Sequence, residues 1–97
     1  MHAAISHLSG DPGELLSRYD AMREEIPAEA FALHLCLRAA DGIIVVDTCP
    51  TRADYEAFYT GQAFAGMCAK HGLPLPDRHD DYPVHLGIAQ GAVVAGR

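Results

Sequence analysis

Residues 30 to 38, AFALHLCLR, alternate strictly between two sides, with Phe31, Leu33, Leu35 and Leu37 on one and Ala32, His34, Cys36 and Arg38 on the other. A period of two predicts a strand. Asp41-Gly42 is a hairpin signal, and IIVVDTC (43 to 49) follows as a β-branched partner. Upstream, HAAISHL (2 to 8) reads as a first strand, after which the period becomes helical. In GDPGELLSRYDAMREEI, Leu15, Tyr19, Met22 and Ile26, with Leu16, form one apolar face, while Arg18, Arg23, Glu24 and Glu25 are solvated. Asp11 is the expected N-cap, Pro12 the first helical residue, Glu14 the partner in an Asp-x-x-Glu box, and Pro27 the stop.

Beyond Cys49-Pro50, Thr51 with Asp54 three residues later predicts a capped short helix over TRADYEAFY. Thr60-Gly61 interrupts it. QAFAGMCAKH then places Phe64, Met67, Cys68 and His71 at helical spacing, with Gly72 as the C-terminal stop. LPLPDRHDDYP (73 to 83), rich in proline and charge, reads as a loop, and VHLGIAQ as a last strand. The order β-α-β-β-α-β is the α+β, ferredoxin-like plan, one antiparallel sheet with helices on one face. A hairpin loop of two residues (41 and 42) or four (39 to 42) sets even-numbered residues of the second strand opposite odd-numbered residues of the third. The greasier side, Phe31, Leu33, Leu35, Leu37, Ile44, Val46 and Thr48, is expected under the helices. His34, Cys36, Arg38, Ile43, Val45, Asp47 and Cys49 share the other side, whose mixed character suits the wall of a partly wet cavity closed by a second subunit. A three-residue loop with a bulge would exchange the faces.

Ninety-seven residues make one domain with a modest core, a size that often gains stability by pairing. Seven Lys and Arg against thirteen Asp and Glu give a formal charge of −6, with no basic run to track a phosphate backbone or an anionic membrane. MHAAISHLSG lacks the basic segment and long apolar core of a signal peptide, so a cytoplasmic protein without membrane or nucleic-acid partners is expected. Cys36, Cys49 and Cys68 form no C-x-x-C pair, and an odd count predicts free thiols.

The pattern from GDPGELLSRYDAMREEI through AFALHLCLRAADGIIVVDTCPTRADYEAFYTGQAFAGM resembles the small antibiotic biosynthesis monooxygenase-like proteins of the dimeric α+β barrel superfamily. Where that family typically ends its third strand in a Trp, follows with Ser or an acidic residue, a Phe and a small junction, this chain has Cys49, Thr51, Phe58 and TGQAF. The resemblance implies a homodimer whose sheets face each other, with a pocket in each protomer between sheet and helices or along the interface. It also implies cofactor-free oxidation of aromatic polyketide intermediates or haem degradation. The haem-degrading branch needs a His about one turn after the Phe of the late helix. From Phe64 that register lands on Cys68, with His71 a turn later, which disfavours haem degradation.

His34, across the hairpin from Asp47 or Cys49 according to loop length, is the candidate general base, with Asp47 to orient it and Arg38 to stabilise an anion. The competing reading is a histidine hydrogen-bonded in a polar pocket, with Asp47 in an ion pair to Arg38. Cys49 is a thiolate nucleophile only beside a cation, and otherwise a small buried hydrophobe. His85 alternates with Val84, Leu86 and Ile88 and is expected to point with the polar face as a pocket candidate. Tyr55, Phe58 and Tyr59 lie at i, i+3 and i+4, core residues unless a Tyr hydroxyl reaches a phenolic ligand. His34, Asp47, Cys49 and His85 show no local metal-ligand spacing, so no metal or cofactor is expected. His7 takes no face from the pattern, and residues 73 to 83 are a lid, an arm across a dimer or a stiff connection. Two functions remain: a cofactor-independent monooxygenase for a small aromatic or polyketide-type compound, and a protein that binds such a molecule unchanged.

Overall fold

The Asp11 carboxylate accepts the Glu14 N–H at 2.9 Å, and the first helix, α1 (Pro12–Met22), starts there with Pro12 in its first turn. Leu15, Tyr19 and Met22 form its buried stripe, and a 3₁₀ turn (Arg23–Glu25) ends it ahead of Pro27. This computed structural model describes residues 1 to 96. Before α1 runs β1 (His2–Ser9); after it come β2 (His34–Ala39) and β3 (Gly42–Cys49). Thr51 caps α2 (Arg52–Tyr59), its hydroxyl oxygen accepting the Asp54 N–H at 3.1 Å, and Gly61 opens α3 (Gln62–Lys70). Gly72, at φ +69°, turns the chain out of α3, where few side chains are tolerated. Then follow β4 (Arg78–Pro83), β5 (Gly87–Ala89) and β6 (Ala92–Ala95).

The main sheet has the order β2-β3-β1-β4 with every neighbour antiparallel, which is the ferredoxin-like arrangement; β5 and β6 form a separate two-stranded hairpin. Among the described residues no helix is long and apolar enough to cross a membrane. Ala39 pairs with Gly42 and His34 with Asp47, so the pairing parity expected of the hairpin is present, in the register of the longer loop. Gly42 is required: a Cβ there would stand 2.0 Å from the Leu8 carbonyl oxygen.

Three expectations are corrected. First, β2 begins at His34 and not at Ala30, because Ala28–Ala30 takes a 3₁₀ turn after Pro27. Second, the last strand of the sheet is Arg78–Pro83, inside the stretch read as a loop, and VHLGIAQ lies beyond it. β4 is an edge strand with one neighbour, where charged side chains and a terminal proline are tolerated and protect the edge from further pairing. Its alternation sends His79 and Asp81 to one face and Asp80 and Tyr82 to the other, opposite Ser6, Ala4, Ile5 and Ala3 respectively, a period of two with no apolar residues to reveal it.

Third, the helices cover the mixed face, not the leucine-rich one. Ile43, 1% exposed, packs with Leu8, Leu15, Tyr19, Met22, Cys68 and Leu73, with Cys36 and Val45 beside them, while Leu35 and Leu37 are each 42% exposed on the far side. The physical reason lies outside the hairpin. β1 adds Ala4, Ser6 and Leu8 to the mixed face, and its small residues leave room for the bulky Tyr19, Phe64 and Met67 of the helices, so the helices themselves supply the missing apolar volume.

Candidate functional site

Between the mixed face and the helices lies a cavity of about 60 Å³. Its apolar walls include Phe31, Phe58, Phe64, Met67 and Leu73, and its polar groups are Ser6, Tyr19, His34, Asp47 and Tyr59. Among the described residues no Lys or Arg lines it.

His34 opens β2, and α1 carries Tyr19 to it: the Tyr19 hydroxyl lies 2.5 Å from His34 Nε2, with the two rings nearly parallel. Burial, helped by the neighbouring Cys36 and Asp47, pushes the Tyr19 phenol up to about 12, so it keeps its proton at neutral pH. In the tautomer in which Tyr19 donates to Nε2, the other ring nitrogen, Nδ1, carries the imidazole proton. Among the described residues Nδ1 has no hydrogen-bond partner, and it faces Asp47 Oδ2 at 3.7 Å, just beyond hydrogen-bond range. Asp47 is only 3% exposed, and a bare carboxylate there would be costly. Tyr59 supplies the compensation, donating its hydroxyl between the two carboxylate oxygens at 3.1 and 3.0 Å. Burial first, and the Asp47 charge second, hold the Tyr59 phenol far above its ordinary range.

A second polar group adjoins the cavity at β1, β4 and α2. Ser6 Oγ is 2.6 Å from His79 Nδ1, and the Tyr55 hydroxyl bonds to His79 Nε2. His2 Nε2 donates to Asp81 Oδ1 at 2.6 Å, with Arg52 Nε 3.7 Å from the same oxygen. The hydrogen bond from His2, against some burial, holds the Asp81 carboxyl below the usual range. Burial, then Asp81, pushes the Tyr55 phenol up to about 12.

Of the residues singled out from sequence, the structure brings His34 and Asp47 together in the cavity wall. Tyr55 is buried against His2, Tyr59 and His79, outside the lining of that cavity. Cys49 sits half-buried opposite His2; burial, then Asp47, raises its thiol, so it is protonated and no thiolate. Arg38 shares the face but is exposed at the strand end opposite Ile43, away from the cavity. His85 is exposed in the connection between β4 and β5, outside the main sheet, since the strand expected to orient it is not part of that sheet. His7 lies between Ile44 and Arg78, on the face turned from the helices. Among the described residues no three His, Cys, Asp or Glu side chains gather as a metal site.

Sequence reasoning missed Ser6, Tyr19 and His79 as polar members of the site. Tyr19 was visible only as one residue of an apolar helical stripe, and its hydroxyl gave no periodic signal. His79 and Asp81 alternate, but within a stretch whose prolines and charges read as a loop.

No family model matches the chain, and no curated protein matches it. A crystal structure from Chloroflexus aurantiacus J-10-fl, described as "putative Antibiotic biosynthesis monooxygenase", is similar in shape, with a TM-score of 0.61. The chain has the fold of that protein. The match covers 86% of this chain and 92% of the other at 13% identity, so it speaks for the antibiotic biosynthesis monooxygenase-like, ferredoxin-like architecture and carries no residue roles across. The groups that the cavity itself offers are an imidazole with a carboxylate behind it and two phenols that remain protonated at neutral pH.

Proposed function

We propose that the protein is a cofactor-independent monooxygenase for a small hydroxy-aromatic or polyketide-type compound, working as a cytoplasmic homodimer. The observation that carries the reading is His34, whose Nε2 opens on the cavity through Tyr19 and whose Nδ1 points at the buried Asp47. A substrate hydroxyl that displaces Tyr19 from Nε2 meets a base whose imidazolium form is stabilised by Asp47. The phenolate so formed is the electron donor to oxygen. Across the whole reaction the substrate loses the O–H hydrogen and one ring hydrogen, one oxygen atom becomes the new carbonyl, and the other leaves as water. The substrate supplies all the electrons. Arg38 lies away from the cavity, so the role of steadying the anion passes to the imidazolium and the Tyr19 hydroxyl.

What supports the homodimer is the face that the helices leave uncovered. Leu35 and Leu37 in β2, Leu33 just before it, Ile88 in β5 and Leu86 just before it are exposed. A contiguous apolar surface of this kind is what an isologous interface covers. The free state of Cys36, Cys49 and Cys68 suits a reducing compartment.

The test is oxygen uptake with 1-naphthol and anthrone as probes, comparing the parent protein with His34→Gln. Uptake with one quinone formed per oxygen consumed, absent in His34→Gln, supports the reading; uptake that survives the substitution overturns it. A non-catalytic binding protein is the second reading, favoured by one observation: Asp47 and Tyr59 already satisfy each other across a cavity of about 60 Å³, leaving few polar groups for a substrate.

A further inference from the structure

Two recesses meet at His34. One is the cavity described above; the other is an outer groove of about 360 Å³ between the C-terminal end of α1 and the segment that leads into β2. Tyr19, Ile26, Phe31 and His34 line both, so a single layer of side chains divides them. Three of these shared side chains are rings. The Phe31 centroid lies 5.1 Å from that of His34, and the Tyr19 centroid lies 6.2 Å from it on a nearly parallel plane. They give the groove a wall suited to a flat aromatic ligand. Ala28 and Ala32, small and exposed, leave the rest of the groove open for fused rings.

The two recesses differ in what fits them. An apolar cavity that takes benzene in a protein interior has a volume of roughly 150 Å³, so a space of about 60 Å³ does not admit an aromatic ring. One water needs only about 10–15 Å³ on that measure, so a diatomic molecule has ample room. Water, however, finds few partners there. Ser6 is engaged with His79, Tyr19 with His34 and Asp47 with Tyr59, and the rest of the wall is aliphatic, aromatic or sulfur-bearing. A small apolar space of this kind favours an apolar gas over a polar ligand.

We propose that the site is divided, with the fused aromatic rings of the substrate in the outer groove and dioxygen in the inner cavity. The division rests on the monooxygenase reading and says where its two reactants sit. The substrate hydroxyl reaches His34 Nε2 where the Tyr19 hydroxyl now lies, 2.5 Å away, and the Tyr19 hydroxyl shifts onto the substrate oxygen. That shift opens the dividing layer at the point where ring and dioxygen meet. The reaction is the one given above: the hydroxyl proton goes to His34, a ring carbon bonds one oxygen atom, and the second oxygen leaves as water with the two hydrogens that the substrate loses.

The experiment is run without oxygen on the full chain, with xenon as the apolar gas, 1-naphthol as the aromatic, and methyl spectra as the readout. Xenon should shift the methyls of Val45 and Leu73, which line the cavity and not the groove; 1-naphthol should shift those of Ala28 and Ala32, which line the groove and not the cavity. With both probes present, both sets should respond together. Displacement of xenon by 1-naphthol puts the two in one space and overturns the proposal, as does the failure of either probe to move its own set. Ala32→Trp, at an exposed position, should weaken 1-naphthol binding on the order of tenfold while the xenon response stays, as narrowing a pocket against its ligand does. Unchanged affinity for 1-naphthol in that variant overturns the proposal as well. Should the variant not fold, the xenon competition in the parent protein decides. Independent occupancy without His34-dependent oxygen uptake refutes the monooxygenase reading alone, whereas His34-dependent uptake with xenon displaced by 1-naphthol refutes the divided site alone.

Discussion

The two faces of the main sheet invert the usual relation between polarity and exposure. The face under the helices carries His2, Ser6, His34 and Asp47, and the face turned away carries Leu35, Leu37, Ile44 and Val46. Buried polar groups need partners of defined position, and helices of the same chain provide them: Tyr19 from α1, Tyr55 and Tyr59 from α2. An apolar face needs only area removed from water, which a second copy supplies as well as a helix does. Polar groups are thus placed where the protomer fixes geometry, and the non-directional surface is the one the helices leave uncovered.

The largest expected contrast between the faces is in stability. Ile43→Ala, at the most buried side chain of the helix-covered face, should cost about 2–5 kcal/mol in urea unfolding, independent of protein concentration. Leu37→Glu on the open face should instead convert dimer to monomer in light scattering. Its effect on unfolding should vanish in dilute solution, and a concentration-independent loss would place Leu37 in the protomer core. Next in size is Tyr59→Phe, which strips the buried Asp47 carboxylate of its hydroxyl donor and should cost about 1.5–3 kcal/mol, as hydrogen bonds to charged groups do.

The N-caps were legible because each is written in four consecutive residues. Asp11 with Glu14, and Thr51 with Asp54, start α1 and α2 where the sequence places them. Asp11→Ala should therefore cost about 1 kcal/mol, read by the same unfolding experiment. The hairpin parity was legible for the same reason, alternation plus a turn signal, and it set His34 opposite Asp47 or Cys49; the register that selects Asp47 is fixed by the loop. Which face the helices choose is not local. It depends on Ala4, Ser6 and Leu8 from β1 and on the bulk that α1 and α3 bring, none of which the hairpin encodes. β4 escaped for a related reason, since His79 and Asp81 owe their burial to Ser6, Tyr55 and His2, distant in sequence. Arg38 has the right parity but sits at the open end of its strand, and parity carries no depth.

The smallest expected effect lies on the alkaline side. Tyr19 and Tyr55 are raised from 10.0 to about 12 in the folded protein, chiefly by burial. Their contribution to stability is complete below pH 10, where folded and unfolded phenols are both neutral. It is lost as pH rises toward 12, because the unfolded chain ionises first. Tyrosinate absorbance followed with unfolding should show these phenols appearing only as the fold weakens. Phenols that titrate at their ordinary value in folded protein would contradict their place beside His34 and His79.

The central claim is that Asp47 acts on chemistry through His34. The direct measurement is the turnover of 1-naphthol or anthrone by Asp47→Asn, with binding followed separately and the fold checked by its thermal transition. The account predicts a fall in kcat on the order of 10²-fold with Kd nearly unchanged, as loss of general-base assistance gives. An Asp47→Asn variant that turns over like the parent, or that loses binding and turnover together, contradicts it.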